Sequence, residues 1–425
     1  MTFHHTRFPK IQAALIRLLK PSLIAQKLTS GFTLIELLVA AAIGAIITSS
    51  LLWLVVQLVS AENKESALST TDQEIQRALN YITSDLEQAV YVYDGKCNAF
   101  NSSSCPSYAN YLPSNIKYKL DTSTNPDTLN LPVLAFWKTV PLADDQLPSA
   151  ANCTTPPNTV TTDVGSVTLT TAAKDLYKSD CDIIRRQRKT YSLVVYVQRV
   201  DAAAIWSGRS RIYRYEIAKY RDATVLDRNV GFVDPAEVLG IFPTWPLKSS
   251  TVNCQTNAAG CNLSFFDPDG DVSTSIASTA ATGSNFPALV DFVDCPNPSG
   301  TGTCPSYSAT VPTIPDADPS TTGTQPCPAN YLPTPRDTSV TDQNSLTALQ
   351  SQSFFACVPN SNAATGDDFS GDIQDIYVYL RGNAGSRKKS NGDTLADDIR
   401  LEKDTYTPLL QTRITLRGLI DWEPN

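Results

Sequence analysis

The sequence has almost no histidine and almost no methionine, and this scarcity limits its chemistry. Its 425 residues include two histidines, His4 and His5, and one methionine, Met1. If the N-terminus is removed during maturation, the mature chain keeps neither an imidazole nor a thioether. That loss would exclude Ser/His/Asp and Cys/His catalysis, histidine zinc sites and histidine pH switches, because each needs a group that titrates or coordinates near neutral pH.

Basic residues are too few for a protein that binds nucleic acid by neutralising phosphates. The chain has 34 Lys and Arg against 42 Asp and Glu, which gives a net charge of -8 and a pI of about 4.9. Charged residues make up only 18% of the chain, a low share for a cytosolic protein. The sequence also has no nucleophile elbow, P-loop or dinucleotide-binding fingerprint. We therefore expect an exported protein that is not an enzyme, has no cofactor and has no nucleic-acid partner.

The N-terminus combines a basic leader, residues 1–31, with a long apolar segment, residues 32–59. The leader contains basic but no acidic side chains, and the apolar segment contains a single charge, Glu36. The segment exceeds the roughly 20 residues that a helix needs to cross a bilayer. Because Lys and Arg precede it, we expect one crossing of the cytoplasmic membrane, with the N-terminus inside and the remaining chain outside.

Small polar residues stand before the apolar segment rather than after it. A secretory signal carries its cleavage site after a short apolar core, whereas here Thr29, Ser30 and Gly31 precede the apolar residues. A peptidase that cut at this point would release the leader and leave the apolar helix on the mature protein.

The string GFTLIELLVA, residues 31–40, resembles the processing site of type IV prepilins and type II secretion pseudopilins. The resemblance implies that a prepilin peptidase cleaves between Gly31 and Phe32 and that Phe32 is then N-methylated. It also makes Glu36 the fifth residue of the mature chain.

Glu36 is an unusual residue in this setting, because a carboxylate inside an apolar membrane helix costs a few kcal/mol. The N-terminal ammonium of an incoming subunit is a suitable partner, since it exists only after cleavage. Such a pair would set the axial register of the new subunit. A carboxylate that reaches to the membrane edge is the alternative.

A single helix is predicted to continue beyond the membrane. No proline occurs between Phe32 and Cys105, and apolar residues recur at helical spacing up to Tyr93. We therefore expect, after the leader, a transmembrane or filament-core helix over 32–59, an amphipathic helix over 60–94 and an exported head over 95–425.

Five later segments rich in β-branched and aromatic residues are predicted strands: 131–137, 192–198, 211–217, 373–380 and 409–420. The second and third are expected to pair as a hairpin. Similarity to pilins implies an antiparallel sheet laid on the helix, which makes the expected fold class α+β. Residues 250–365 form a predicted loop-rich insertion, because Pro, Gly, Ser and Thr are frequent there.

All ten cysteines lie in the predicted head, where an oxidising compartment favours disulfides. Spacing alone does not fix their connectivity. We expect nearest neighbours to pair: Cys97 with Cys105, Cys153 with Cys181, Cys254 with Cys261, Cys295 with Cys304, and Cys327 with Cys357. A metal site is not expected, because this region has no C-x-x-C and no histidine.

Charged clusters are the remaining candidate sites in the head. Alternating carboxylates could bind Ca²⁺, although an acidic turn is the favoured interpretation; they are Asp267, Asp269 and Asp271, with a weaker cluster at Asp367, Asp368 and Asp372. Basic clusters could contact polysaccharide, DNA or lipid head groups, although a solvated strand edge is favoured; they are Arg185, Arg186, Arg188 and Lys189, and Arg387, Lys388 and Lys389.

These features predict a structural minor pseudopilin that assembles with other pilins, on an inner-membrane platform, into a periplasmic pseudopilus. Residues 74–94 resemble J-type minor pseudopilins. The length and the cysteine-rich insertions resemble the hormogonium polysaccharide secretion pseudopilins of filamentous cyanobacteria, which implies polysaccharide secretion and gliding motility. The alternatives are a membrane-anchored glycan- or DNA-binding module carried on a type IV pilus, and an anchored enzyme.

Overall fold

The computed structural model describes residues 33–93, 119–120, 129–162, 165–169, 171–200, 208, 210–228, 288–296, 325–328, 331–336, 344–345, 349–359, 375–387 and 407–417. Within these residues the chain forms three α-helices and fourteen β-strands. Contacts divide it into two compact units, Met1–Ala61 and Glu62–Asn425. Helix α1, Leu34–Leu86, contributes to both units.

The apolar part of α1, residues 34–61, is exposed at every position. From Leu34 to Val59 its large apolar side chains keep between 48% and 82% of their surface accessible. Because apolar residues occur on all sides of this part, it has no polar face to turn toward water. Such a helix is typical of a membrane span or of the core of a larger assembly.

The packed part of α1, residues 62–86, has one buried stripe, whose members recur at helical spacing: Ala67, Thr71, Ile75, Ala78, Leu79, Ile82, Asp85 and Leu86. The helix ends at Leu86, so the predicted helix over 60–94 is too long. Strand β1, Ala89–Val92, follows after a short turn. Its β-branched and aromatic side chains pair with a neighbouring strand, and this pairing overrides the helical spacing of the same residues.

The larger sheet is antiparallel and contains β1 and five further strands: β2 (Lys119–Leu120), β3 (Leu129–Pro141), β6 (Lys189–Val200), β7 (Ser210–Ala218) and β10 (Ala288–Val293). The strand order is β1-β3-β6-β7-β10, and β2 pairs with β3 outside this path. The predicted hairpin is confirmed, since Leu193 of β6 pairs with Ile217 of β7. Val194 and Val195 point to opposite faces and are both fully buried, so the centre of this sheet is covered on both sides.

The smaller sheet is also antiparallel and has the order β11-β12-β13-β14. Its strands are β11 (Tyr331–Thr334), β12 (Phe354–Pro359), β13 (Asp375–Arg381) and β14 (Leu409–Thr415). The five predicted strands are therefore divided between two sheets rather than forming one. Strands β10, β11 and β12 also lie inside the predicted loop-rich insertion, 250–365, so that prediction is wrong for these segments.

One hydrophobic core joins the packed part of α1 to both sheets. Ile75, Leu79 and Ile82 of the helix belong to the same buried cluster as Phe136 of the larger sheet and Phe354 of the smaller one. Strand β12 forms although it lies in the predicted loop-rich insertion. Its alternate side chains, Phe354, Ala356 and Val358, all point into this core. The fold is α+β, as predicted.

A small lobe beside the larger sheet holds the remaining elements: α2 (Ala150–Thr154), β4 (Thr159–Thr162), β5 (Gly165–Thr168), α3 (Thr171–Gln187), β8 (Tyr220–Asp222) and β9 (Asp227–Arg228). Its core contains Tyr177, Cys181 and Ile184 of α3 together with Leu226. Helix α3 was not among the predicted elements, although these three helical residues recur with the period of an amphipathic helix.

Two disulfides lie between described residues, Cys153–Cys181 and Cys327–Cys357. Both are among the five pairs expected from nearest-neighbour spacing. The first joins α2 to α3, and the second joins the segment 325–328 to β12. Cys295 is disulfide-bonded as well; the other predicted cysteines lie outside the described residues: Cys97, Cys105, Cys254, Cys261 and Cys304.

Candidate functional site

The start of α1 is a capping box built by Thr33 and Glu36. The backbone N–H of Thr33 donates to Oε2 of Glu36 (3.0 Å), and the Thr33 hydroxyl donates to the same oxygen (2.9 Å). The backbone N–H of Glu36 points back to Oγ1 of Thr33 at 3.4 Å. The pattern Thr-x-x-Glu before an apolar segment is the sequence signature of this motif, and it was the signal that the sequence analysis missed.

This geometry gives Glu36 a role within its own chain. The carboxylate lies in the first turn of α1, where the partial positive charge of the helix N-terminus favours an anion. A carboxylate also has about four acceptor positions, so the capping box leaves room for another donor. Gly31 and Phe32, which flank the predicted cleavage site, lie outside the described residues.

Three hydroxyl groups in the apolar part of α1 bond to the backbone of the helix itself. The hydroxyls of Thr48, Ser49 and Ser50 donate to the backbone carbonyls of Gly44, Ala45 and Ile47, at 2.7, 2.7 and 2.8 Å. These bonds satisfy the three hydroxyls within the helix, as hydrocarbon requires. The most apolar 18 residues of α1 are all unburied, and the helix is long and apolar enough to cross a membrane.

Residues 27–52 match the family model described as the prokaryotic N-terminal methylation motif. The N-terminus is a prepilin-type signal. Such a signal implies processing by a prepilin peptidase and assembly with other pilins, and it supports a type IV pilin-like precursor that one apolar helix anchors in the membrane. No curated protein and no solved structure matches the chain.

A buried charge network fastens the packed part of α1 to the larger sheet. Asp85 of the helix accepts from Nε of Arg214 (2.6 Å), from the Tyr196 hydroxyl (2.7 Å) and from Nζ of Lys138 (3.0 Å). Glu216 adds a second carboxylate, 2.6 Å from Arg214 and 3.4 Å from Lys138. Two cations thus face two anions, which satisfies the pairing that buried charges need.

The electrostatics of this network hold Asp85 ionised. Burial by itself would raise the pKa of Asp85, but the hydrogen bonds from Arg214, Tyr196 and Lys138 outweigh it and lower the pKa below its usual value. Burial and the adjacent Asp85 carboxylate raise the pKa of Tyr196, so its hydroxyl stays a donor. The network therefore keeps its charge pattern at neutral pH.

The first basic cluster contacts its own chain rather than forming a strand edge. Arg185 and Arg186 lie in the last turn of α3, where cations complement the helix dipole. Arg185 donates to the Pro148 carbonyl (2.5 Å), and Arg188 pairs with Asp144 (2.7 Å) at the surface. The strand-edge interpretation is therefore wrong for these arginines; Lys189, by contrast, begins β6.

Arg387, from the second basic cluster, also has an internal role. Its guanidinium donates to Oγ1 of Thr71 (2.7 Å), pairs with Glu74 and lies 4.1 Å from the centroid of the Phe292 ring. This arginine therefore binds α1 rather than presenting a free charge. The other members of that cluster and the two aspartate clusters lie outside the described residues: Lys388, Lys389, Asp267, Asp269, Asp271, Asp367, Asp368 and Asp372.

Proposed function

We propose that the chain is a minor pseudopilin, a structural subunit of a short periplasmic filament, and that it has no catalytic role. The observation that carries this proposal is the prepilin-type signal at 27–52 on a helix that is apolar on all sides and then continues as the core helix of a folded unit. Such a chain can be anchored by its helix before assembly and packed through the same helix afterwards.

The proposed mechanism uses residues at the start of α1. Hydrolysis of the peptide bond between Gly31 and Phe32 creates a free α-ammonium, which is then methylated. The Glu36 carboxylate of a neighbouring subunit accepts this ammonium. The Thr33 hydroxyl, 2.9 Å from Glu36, supports the carboxylate in one orientation at the helix start, so less freedom is lost when the neighbour arrives.

The finer assignment is to the J-type minor pseudopilins, in a machine that exports polysaccharide and serves gliding motility. The sequence of residues 74–94 supports the first part, and the length and cysteine-rich insertions support the second. We propose that the N-terminus is cytoplasmic, that the second unit is periplasmic, and that the partners are other pseudopilins and the inner-membrane platform. A secreted polysaccharide is the proposed cargo.

Mass spectrometry of the protein recovered from membranes tests the processing step. We expect a mature chain that begins at N-methylated Phe32. Coexpression with and without a prepilin peptidase provides the control, because the leader should remain in the second case. An uncleaved chain in the presence of the peptidase, or cleavage after Val59, would contradict the proposal.

Glu36→Ala tests the assembly step. We expect the variant to be cleaved and to stay in the membrane but to be missing from sheared filaments, since the neighbour's ammonium has lost its acceptor. Glu62→Ala is the matched control, because Glu62 is an exposed carboxylate of the same helix beyond the apolar part. Normal incorporation of the Glu36 variant would rule out the proposed pairing.

A further inference from the structure

Residues 381–387, which we call the strap, join the two sheets to each other. The strap begins at the last residue of β13, and the backbone N–H of Asp294 donates to the Arg381 carbonyl (2.9 Å). Asn383 donates two hydrogen bonds toward β10. Its backbone N–H donates to the Phe292 carbonyl (2.7 Å), and its side-chain amide donates to Oδ1 of Asp294 (2.8 Å). The smaller sheet is thus linked to β10, the last strand along the path of the larger sheet.

Gly382 brings the backbone of the strap directly onto α1. A Cβ atom at this position would lie 2.1 Å from Cδ1 of Ile75 and 2.7 Å from Cγ2 of Thr71. Both helix residues are fully buried, so their side chains have little room to move aside. The N–H of Gly382 donates to the Pro408 carbonyl (2.9 Å), which ties the same point to the residue before β14.

Arg387 closes the strap over the same turn of the helix. It contacts Thr71 and Glu74 on one side and the Phe292 ring on the other. Phe292 has a φ of 58°, a conformation that is rare for a bulky residue, and the pairing register of β10 shifts between Val290 and Val293. An irregular β10 therefore supplies the ring against which the guanidinium stacks.

The strap and the Asp85 network contact α1 at different places. Asp85 binds Lys138, Tyr196 and Arg214, all of which belong to the larger sheet. Beside the hydrophobic core that it shares with α1, the smaller sheet contacts the helix through the strap. Just beyond β14, the N–H of Arg417 donates to the Glu87 carbonyl (3.1 Å) past the helix end.

We infer that the strap fastens the smaller sheet to α1, so that this sheet is carried with the helix when the helix is pulled. The source of the pull rests on the proposed function, in which a subunit leaves the membrane through its helix. The fastening itself does not rest on the proposed function, because it is argued from the contacts of Gly382, Asn383 and Arg387, which add to the shared hydrophobic core.

Hydrogen exchange of the full-length chain in detergent tests the fastening, with Arg387→Ala as the variant. We expect amides of β13 and of helix residues 71–75 to exchange about tenfold faster, because a charged hydrogen bond and a stacked contact are lost. Amides of β6 should keep their rates. Arg413→Ala is the matched control, since Arg413 pairs with Asp375 within the smaller sheet and its loss should leave helix residues 71–75 unchanged.

Unchanged exchange in β13 and residues 71–75 would overturn the inference, and so would equal acceleration of β6, because the strap would then have no separate role. If Arg387→Ala does not fold, Glu74→Gln gives a milder test on the helix side of the same contact. A smaller acceleration confined to the same segments is then expected, and its absence would count against the strap.

Measuring incorporation into filaments tests the carrying role of the strap separately from the fastening. We expect Arg387→Ala chains to be cleaved normally but to enter filaments less often than Arg413→Ala chains. Equal incorporation, with the exchange difference present, would overturn the carrying role and leave the fastening standing. A wild-type chain that is never cleaved would instead overturn the proposed function, and the exchange result would be unaffected.

Discussion

The two parts of α1 differ in how their apolar side chains are covered and how their polar groups are bonded. In the apolar part, residues 34–61, all side chains are exposed, and the hydroxyls of Thr48, Ser49 and Ser50 bond to the helix backbone. In the packed part, residues 62–86, a stripe of side chains is buried against two sheets, and the opposite face is polar. One continuous helix therefore carries a surface that its own chain covers and a surface that it leaves uncovered.

The difference indicates where each part obtains its stabilisation. Burial of apolar area is the main favourable term in folding and association. The packed part receives this term from its own sheets, whereas the apolar part must receive it from lipid or from other helices. Two acidic side chains of α1 follow the same division. Asp85 is paired inside the chain, and Glu36 is held at the helix start, where its carboxylate can accept a hydrogen bond from another donor.

Asp85→Ala should have the largest effect on this comparison. It leaves the buried Lys138 and the partly buried Arg214 with one carboxylate, Glu216, instead of two. Breaking a buried ion pair from one side lowers the free energy of unfolding by about 3–5 kcal/mol. Denaturant unfolding of the second unit measures the loss, and Glu36→Ala is the matched control because it should leave that free energy unchanged. A loss below 1 kcal/mol, on the order of a surface pair, would contradict the role of Asp85.

A pair of identical substitutions compares the two parts directly. Ile82 is fully buried, and Ile47 is 52% exposed. Ile82→Ala should lower the free energy of unfolding of the second unit by about 2–5 kcal/mol, the usual range for a core cavity. Ile47→Ala should change it by less than about 0.5 kcal/mol, as an exposed site does. Similar losses from both variants would show that the two parts are not independent.

Gly44 on α1 and Gly382 on the strap allow a third comparison. An added Cβ at Gly44 meets nothing within 4 Å, whereas at Gly382 it meets Ile75 at 2.1 Å. Gly382→Ala should therefore lower the free energy of unfolding by about 1–3 kcal/mol through overpacking. Gly44→Ala should not lower it, because alanine is the better helix former. Thermal unfolding of both variants measures the difference.

The sequence was most informative where one physical signal acts alone. The apolar part was predictable because length and composition decide a membrane helix. The hairpin of β6 and β7 was predictable because both strands are rich in β-branched and aromatic residues and lie close in sequence. The end of α1 was not predictable, since Ala89, Val90 and Tyr93 continue the helical spacing. In the structure this segment pairs with β3 instead, through Ala89, Tyr91 and Val92. Tertiary pairing decided that boundary.

The contacts that hold the packed part were beyond sequence reasoning for a similar reason. Asp85 and Arg214 are far apart in the chain, and no local pattern indicates that they meet. Arg387 was recognised as a basic residue, but its partners Thr71 and Glu74 belong to a helix more than 300 residues earlier. The capping box of Thr33 and Glu36 was different, because its four-residue pattern is local.

The pH dependence of the unfolding free energy compares Asp85 with Glu36, and it is the smallest effect that we expect. The hydrogen bonds from Arg214, Tyr196 and Lys138 lower the pKa of Asp85 in the folded chain. In the unfolded chain an aspartate has a pKa of about 4. The stabilisation from Asp85 is therefore complete above about pH 4 and is lost as the pH falls toward the lower folded pKa. The difference in unfolding free energy between wild type and Asp85→Asn should shrink between pH 6 and pH 3. The same pair of measurements on Glu36→Gln should show no such trend, because Glu36 makes its contacts outside the second unit.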